Sequence, residues 1–247
     1  MFNILKLTCL KYWWNIKNNK FKLFSMVIIN TMILLVFFLG MRGENSIELF
    51  GLDYATLFII YIIVWIILNT FFTMSKLITN EIKEGTLEIV YTSQYGFIKI
   101  LFSNIILNII ICILVLLLLF IVNNFITGVL DNVNFLELIF VITIGLFSLY
   151  GVGLAIAGIT LLAKEIDTIL FIVKFVAAYC IIRFDNVFVP FSTAKNMIVE
   201  IVSYGSLDGE NMLLSIAFLL LNSLIYFVLG VIVYKIIEKY ALKKSCI

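Results

Sequence analysis

The chain has 247 residues, of which 64% are hydrophobic and 13% are charged, and its formal net charge is +2. Soluble domains have roughly 45–50% apolar and 25% charged residues, so this composition excludes a water-soluble enzyme, a secreted disulfide scaffold and a disordered chain. The small net charge does not indicate nucleic-acid binding. We therefore interpret the sequence as that of an integral membrane protein, whose principal surroundings are the lipid bilayer.

Residue types that carry enzyme chemistry are scarce. Histidine is absent, which removes the commonest general base and metal ligand. No P-loop of the form G-x-x-x-x-G-K-[ST] occurs, and neither does H-E-x-x-H or G-x-S-x-G. We expect no enzyme activity, no metal and no cofactor on this chain. The cysteines form no C-x-x-C pair and are predicted to be free thiols; they are Cys9, Cys112, Cys180 and Cys246.

The first segment, residues 3–20, is predicted to form an amphipathic helix at the membrane surface. Its apolar residues Leu5, Cys9, Tyr12 and Ile16 fall within a narrow arc of a helix, and lysines lie beside them. Two adjacent tryptophans in this segment suit the level of the lipid headgroups.

Six later stretches are apolar enough to be membrane spans, which need about 20 residues each. They are residues 23–40, 54–72, 100–122, 138–163, 168–182 and 213–234. We interpret the first as a retained anchor, because its apolar run is long and no small-x-small cleavage site follows it. The fifth is about 22 Å long as a helix, so it must extend into its flanks or meet a thin patch of bilayer.

The distribution of basic residues predicts the topology. One face of the predicted membrane domain has thirteen lysines and the other has three basic residues. The thirteen are Lys6, Lys11, Lys17, Lys20, Lys22, Lys76, Lys83, Lys99, Lys164, Lys235, Lys239, Lys243 and Lys244; the three are Arg42, Arg183 and Lys195. By the positive-inside rule both termini lie in the cytoplasm. The predicted fold is an all-α polytopic membrane protein with one transmembrane domain over residues 1–247.

Small and polar residues within the spans predict how the helices pack. Gly151, Gly153, Ala155 and Ala157 form overlapping small-xxx-small pairs, which favour close helix packing within the subunit rather than a dimer interface. Three asparagines are expected to hydrogen-bond between helices rather than bind cargo: Asn104, Asn108 and Asn222.

Lys174 lies well inside the fifth predicted span. A charge in the middle of a membrane costs roughly 2.5–3.5 kcal/mol, so its position needs an explanation. Its long side chain either reaches the inner surface near neighbouring acids or lines a polar substrate path.

Residues 191–204 are predicted to form an extracellular helix between the fifth and sixth spans, lying on or dipping into the outer leaflet. Its apolar face has helical spacing and comprises Ala194, Met197, Ile198, Ile201 and Val202. Pro190 suits the first turn of this helix, and Ser192 or Thr193 is expected to cap it. Lys195 is expected on the polar side, where substitution by Gln should be mild.

The loop of residues 75–99 carries the most informative charge pattern. On a continuous helix, Glu81, Glu84 and Glu88 would form one acidic ridge with Gly85 inside it. A glycine there would let another backbone approach closely. The spacing alone is compatible with a solvated helix face or with a surface that docks a basic groove on a soluble partner.

The segment NEIKEGTLEIVYTSQYGFIKIL, residues 80–101, resembles the loop of type-2 ATP-binding-cassette (ABC) exporter permeases. That family has an acid-rich run, then G-T-L-E, then a small-Pro pair and an apolar helix; Ser93-Gln94 stands at the position of that pair here. The matching positions are Glu81, Glu84, Gly85, Thr86, Leu87 and Glu88, with Ile100 and Leu101 in the following span. The predicted architecture also resembles this family over the whole chain. The resemblance implies a dimer of such subunits, homomeric or heteromeric, with a cytoplasmic ABC ATPase coupled through these loop residues.

The expected function is therefore that of a membrane-spanning permease subunit of an ATP-driven exporter, with ATP bound by the partner. The cargo class is an amphipathic drug, an antimicrobial peptide or a lipid-linked molecule. The abundance of Ile, Asn, Lys and Phe indicates an AT-rich bacterial gene and hence the bacterial cytoplasmic membrane. The alternatives are an ion-coupled secondary transporter, disfavoured because no predicted span has an acid in its middle, and a non-transporting structural or sensory membrane protein.

Overall fold

A computed structural model describes residues 6–10, 17, 28–29, 32, 54–71, 73–92, 97–127, 133–163, 167–184, 186, 188–207 and 212–243. The first predicted span, residues 23–40, lies almost entirely outside this part of the chain. Residues 6–10 are helical, as expected of the N-terminal amphipathic segment, and the Thr8 hydroxyl lies 2.6 Å from that of Ser103.

The described part of the chain is helical and contains no strand. Its helices are α1 (Tyr54–Thr70), α2 (Thr73–Lys83), α3 (Leu87–Thr92), α4 (Phe97–Thr127), α5 (Phe135–Leu162), α6 (Asp167–Arg183), α7 (Ser192–Tyr204) and α8 (Met212–Lys243). Apolar residues dominate the long helices, and a helix satisfies its backbone hydrogen bonds internally, as hydrocarbon surroundings require.

Among the described residues, four helical stretches are long and apolar enough to cross a membrane: Phe58–Lys83, Phe97–Val122, Phe135–Leu162 and Met212–Lys243. They overlap the second, third, fourth and sixth predicted spans, although the first continues to Lys83, into the predicted loop of residues 75–99, and the last continues to Lys243. The first of them runs through α1 and α2. This confirms the helical, membrane-protein character that the composition predicts.

Helices α5 and α8 lie side by side and run parallel, because Gly151 lies against Gly230 and Gly158 lies against Ile237. Gly151 of α5 faces the backbone of α8, where a Cβ would be 2.7 Å from the Cα of Phe227. Gly230 of α8 in turn lies against the carbonyl group of Gly151. The two backbones meet directly because neither glycine has a side chain to hold them apart.

Gly153 makes a second close approach, to the chain between α1 and α2. A Cβ on Gly153 would be 2.8 Å from the carbonyl oxygen of Phe71. Ala157, one turn further along α5, is fully buried. The prediction that the small residues of this span mediate packing within the subunit is therefore confirmed.

Helix α6 has 17 residues and is about 25 Å long, which is short for a membrane crossing. Its last carbonyl groups lie next to α7, because the Lys195 ammonium donates to the carbonyl oxygens of Ile181 and Ile182, each at 3.1 Å. The Ser192 hydroxyl donates to the carbonyl oxygen of Phe184 at 3.4 Å.

Helix α7 extends along α5 from its interior to its first residues. At the start of α7, Ala194 lies 2.5 Å and the Phe191 ring 2.8 Å from where a Cβ on Gly145 would be. At the end of α7, the carbonyl oxygen of Gly205 accepts from the backbone N–H of Asn134 at 2.8 Å. Helix α7 thus packs against the first part of α5. Among the described helices, α6 is not one of those long and apolar enough to cross a membrane, so the predicted fifth span stays a prediction.

The apolar face predicted for α7 is confirmed, because Ala194, Met197, Ile198 and Ile201 are all buried. The expectation for Lys195 is wrong. Its exposed fraction is 6%, and it supplies partners for the carbonyl groups that the end of α6 leaves open.

The expected capping of α7 is also wrong. The N-cap residue is Phe191, which is fully buried and has a φ of 68°, and no side chain makes a capping hydrogen bond. Both Pro190 and Phe191 precede the helix. The ring of Phe191 fills the space beside Gly145, so packing against α5 compensates for the strained backbone.

Candidate functional site

Residues 73–92, comprising α2, a turn at residues 84–86 and α3, form what we call the elbow. Gly85 has a φ of +68° and ends the first arm. The N–H of Gly85 donates to the carbonyl oxygen of Ile82 at 3.2 Å, and that of Thr86 to the carbonyl oxygen of Glu81 at 3.0 Å. This pair of bonds is a Schellman motif, for which glycine in the left-handed region is favoured.

The predicted continuous ridge of Glu81, Glu84 and Glu88 is therefore wrong. Glu81 lies in α2, Glu84 in the turn and Glu88 in α3. The spacing of the acids suits a helix, but the glycine ends that helix between them, and the three carboxylates lie on separate parts of the elbow.

Glu81 stabilises the turn. It is half-buried, and its carboxylate accepts a hydrogen bond from the Thr86 hydroxyl. The carbonyl oxygen of Thr86 accepts from the N–H of Val90 at 3.0 Å, which starts α3. Thr86 thus joins the two arms of the elbow through both its side chain and its backbone.

The exposed residues of the elbow carry charges of both signs; they are Lys76, Asn80, Lys83, Glu84, Gly85, Glu88 and Ile89. Ile89 is 68% exposed, which is unusual for a large apolar side chain beside two acids. Apart from the glycine's own chain neighbours, no atom of the described residues lies within 4 Å of a Cβ built on Gly85. Leu87 is 8% exposed and anchors α3 to the core.

The elbow is attached to α8 by side chains that the sequence reasoning missed. The hydroxyl groups of Tyr91 in α3 and Tyr234 in α8 lie 3.1 Å apart. Burial raises the pKa of the Tyr91 hydroxyl above its ordinary value, and the neighbouring Glu238 carboxylate adds to this shift. Tyr91 and Tyr234 are separated by 143 residues, so no local pattern could have indicated the pair.

A cavity of about 300 Å³ lies between α1–α2, α4 and α5. Its polar lining includes Asn69, Thr73, Lys76 and Asn108, and Trp65 also contributes. A second cavity, of about 530 Å³, lies between α1, α6 and α7 and is lined mainly by apolar residues together with Lys195.

The asparagines in the spans do not all behave as expected. The amide nitrogen of Asn104 donates to the carbonyl oxygen of Ile100 in its own helix, at 2.9 Å, rather than to another helix. The amide nitrogen of Asn108 is buried and has no hydrogen-bond partner in the part of the chain that the structure describes. Asn222 is buried in α8.

No chemical role is assigned to the remaining candidate residues, which are Lys174 and the cysteines. Lys174 lies in α6, but its side chain is outside the described residues, so both explanations of its position stay predictions. Cys9, Cys112 and Cys180 are free thiols, as predicted, and Cys246 lies outside the described residues. Among the described residues, no group of three or more Cys, Asp or Glu could hold a metal ion.

In comparisons with known proteins, no family model, no curated protein and no solved structure matches the chain. The class that the fold defines is an α-helical membrane protein. Its elbow is the most complete candidate site for a soluble partner.

Proposed function

We propose that the chain is the membrane-spanning permease subunit of an ATP-driven exporter, and that a separate cytoplasmic ATPase docks on the elbow. In this arrangement the chain crosses the bacterial cytoplasmic membrane six times, with α6 and α7 sharing the fifth crossing. Both termini and the elbow are cytoplasmic, in agreement with the basic residues of the sequence. A second permease subunit completes the transporter, and the cargo is amphipathic.

The observation that carries this proposal is the exposed surface of the elbow. Glu84 offers an exposed carboxylate to a basic partner, and Ile89 offers an exposed apolar contact in α3. Protein interfaces commonly combine an apolar centre with a charged rim. The space around Gly85 leaves room for a partner's backbone.

The attachment of the elbow to the rest of the molecule also supports the proposal. Met74 and Ile78 of α2 are fully buried, and α3 is linked to α8 through Tyr91. A partner that moves the elbow therefore moves the long helices as well. This is the mechanical connection that an ATPase needs in order to drive a permease.

The proposal is tested by co-purifying the permease with the ATPase encoded beside it and by measuring transport-coupled ATP hydrolysis. We expect Gly85→Trp to prevent docking, because the indole would occupy the partner's space. Glu84→Lys should weaken docking, since a desolvated charge pair that loses one partner costs roughly 2–5 kcal/mol. Lys243→Gln, an exposed change at the end of α8, should have an effect of about 0–1 kcal/mol.

A further variant separates steric intrusion from backbone strain. Gly85→Asn tolerates the left-handed conformation and has a small side chain, so it should retain docking while Gly85→Trp loses it. If Gly85→Trp and Glu84→Lys both retain the ATPase and full coupling, the elbow is not the docking site and the proposed function loses its principal support.

A further inference from the structure

The cavity between α1–α2, α4 and α5 is lined by a lysine and several polar side chains that have no part in the proposed docking. It extends from Trp65 of α1 to Lys76 of α2, in the first arm of the elbow. Lys76 is exposed and positively charged. Among the described residues that line the cavity, none is Asp or Glu. The cavity therefore combines one cation with no counter-charge.

Several side-chain hydrogen-bond donors that line the cavity have acceptors within the described ranges of the chain, whereas the Asn108 amide does not. The side chains of Asn69 and Thr70 donate to carbonyl groups within α1, at 2.8 and 2.6 Å. The Thr73 hydroxyl of α2 donates to the carbonyl oxygen of Asn69 in α1, at 2.6 Å. The amide nitrogen of Asn108 is buried and has no hydrogen-bond partner among the described residues. An unpaired buried donor costs about 1–3 kcal/mol, and in a membrane protein few waters are at hand to satisfy it.

The other walls of the cavity are apolar. Leu68 contributes from α1, and Ile111 and Val115 contribute from α4. A volume of about 300 Å³ holds a headgroup and the first carbons of a chain. A water-soluble anion would gain nothing from these apolar walls, whereas an acyl or alkyl chain would be buried against them.

We propose that this cavity binds an anionic amphiphile, with its acidic headgroup between Lys76 and Asn108 and its chain against Leu68, Ile111 and Val115. The Lys76 ammonium supplies the charge and the Asn108 amide nitrogen donates a hydrogen bond. The role of the cavity as the cargo site rests on the proposed export function; the binding itself does not. It narrows the amphipathic cargo to acidic molecules taken from the half of the membrane nearer the elbow.

The test uses the intrinsic fluorescence of Trp65, which lines the cavity. The chain has three tryptophans, so replacing Trp13 and Trp14 by Phe leaves Trp65 as the sole reporter. The purified full-length permease in neutral detergent is titrated with three brominated probes of equal chain length. They are 12-bromododecylphosphonate, 12-bromododecyltrimethylammonium and 12-bromododecanol, whose bromine quenches indole fluorescence on close approach.

We expect the phosphonate to quench Trp65 at a concentration about tenfold lower than the ammonium or alcohol probe, as one charge-assisted hydrogen bond predicts. Lys76→Gln and Asn108→Leu should each weaken the response to the phosphonate and leave that to the alcohol unchanged. Lys76→Arg, which keeps the charge, should retain the preference. Lys99→Gln, an exposed lysine of α4 that does not line the cavity, is the matched control.

Equal quenching by all three probes would mean that the cavity does not select an anionic headgroup and would overturn the proposal. Loss of the phosphonate preference in Lys76→Arg or Lys99→Gln would also overturn it. No ATPase is present in this assay, so its outcome is independent of docking. If the preference is found but docking fails, the site stands without the exporter; in the reverse case, the exporter stands with another cargo.

Discussion

At the scale of single residues, Lys195 is the clearest case of a side chain whose role depends on distant structure. The last carbonyl groups of a helix have no partners within it, and in apolar surroundings they cannot bond to water. Lys195 supplies donors to two of these groups in α6, and its charge is favourable at the negative end of the helix dipole.

Replacing Lys195 by Met should therefore destabilise the protein by about 2 kcal/mol or more, because both carbonyl groups are left unpaired. Unfolding in neutral detergent, followed by circular dichroism, measures the loss. Lys99→Met, at an exposed position of α4, is the control and should change stability by less than about 0.5 kcal/mol. Similar losses in the two variants would contradict the capping role.

At the scale of elements, the contact of α5 with α8 depends on glycines that differ in their surroundings. A Cβ on Gly230 would collide with the backbone carbonyl of Gly151, which cannot move without displacing a helix. A Cβ on Gly158 would instead meet the end of the Ile237 side chain at 3.1 Å, and that side chain can rotate.

We expect Gly230→Ala to lower the free energy of unfolding by about 1–3 kcal/mol, as overpacking does. Gly158→Ala should be close to neutral, since alanine gains about 0.5–1 kcal/mol over glycine within a helix. Both are measured by the same unfolding assay. Equal effects would show that the backbones are not in direct contact at Gly230.

At the scale of the whole molecule, the proposed topology places the elbow and the end of α8 on one side of the membrane and the end of α7 on the other. Single cysteines at Glu88, Tyr240 and Tyr204, in a background without native cysteines, test this arrangement. All three positions are exposed. A membrane-impermeant maleimide should label only Tyr204→Cys on intact cells and all three after permeabilisation. Labelling of Glu88→Cys or Tyr240→Cys on intact cells would place that residue outside the cell and contradict the proposed orientation.

Sequence reasoning predicted the features that depend on local periodicity. The long apolar helices, the buried face of α7 and the small residues of α5 all follow from spacing along one helix. Gly85 was interpreted as a point of close approach, although glycine directly after a charged helical turn also indicates a Schellman end. The local pattern could therefore have predicted the elbow.

Other features depend on residues far apart in the chain and could not be predicted. The Lys195 ammonium contacts backbone carbonyl groups, which every residue has, so no residue type in the sequence could have indicated this contact. The same holds for the tyrosine pair of the elbow and for the cavity, whose lining comes from three separate parts of the chain. Only the fold brings these groups together.

The direct backbone contact between α5 and α8 has a mechanical consequence. Because their backbones are in direct contact at Gly151 and Gly230, α5 and α8 cannot slide past each other and form one rigid unit. The elbow is attached to this rigid unit through the contact of Tyr91 with Tyr234, and Tyr234 lies beside Gly158. At the other end, Glu137 of α5 accepts the backbone N–H of Leu207 at 2.9 Å, just beyond α7. Helix α5 is about 30 Å long from Gly158 to Glu137. A displacement imposed at the elbow is therefore transmitted to the opposite end of α5.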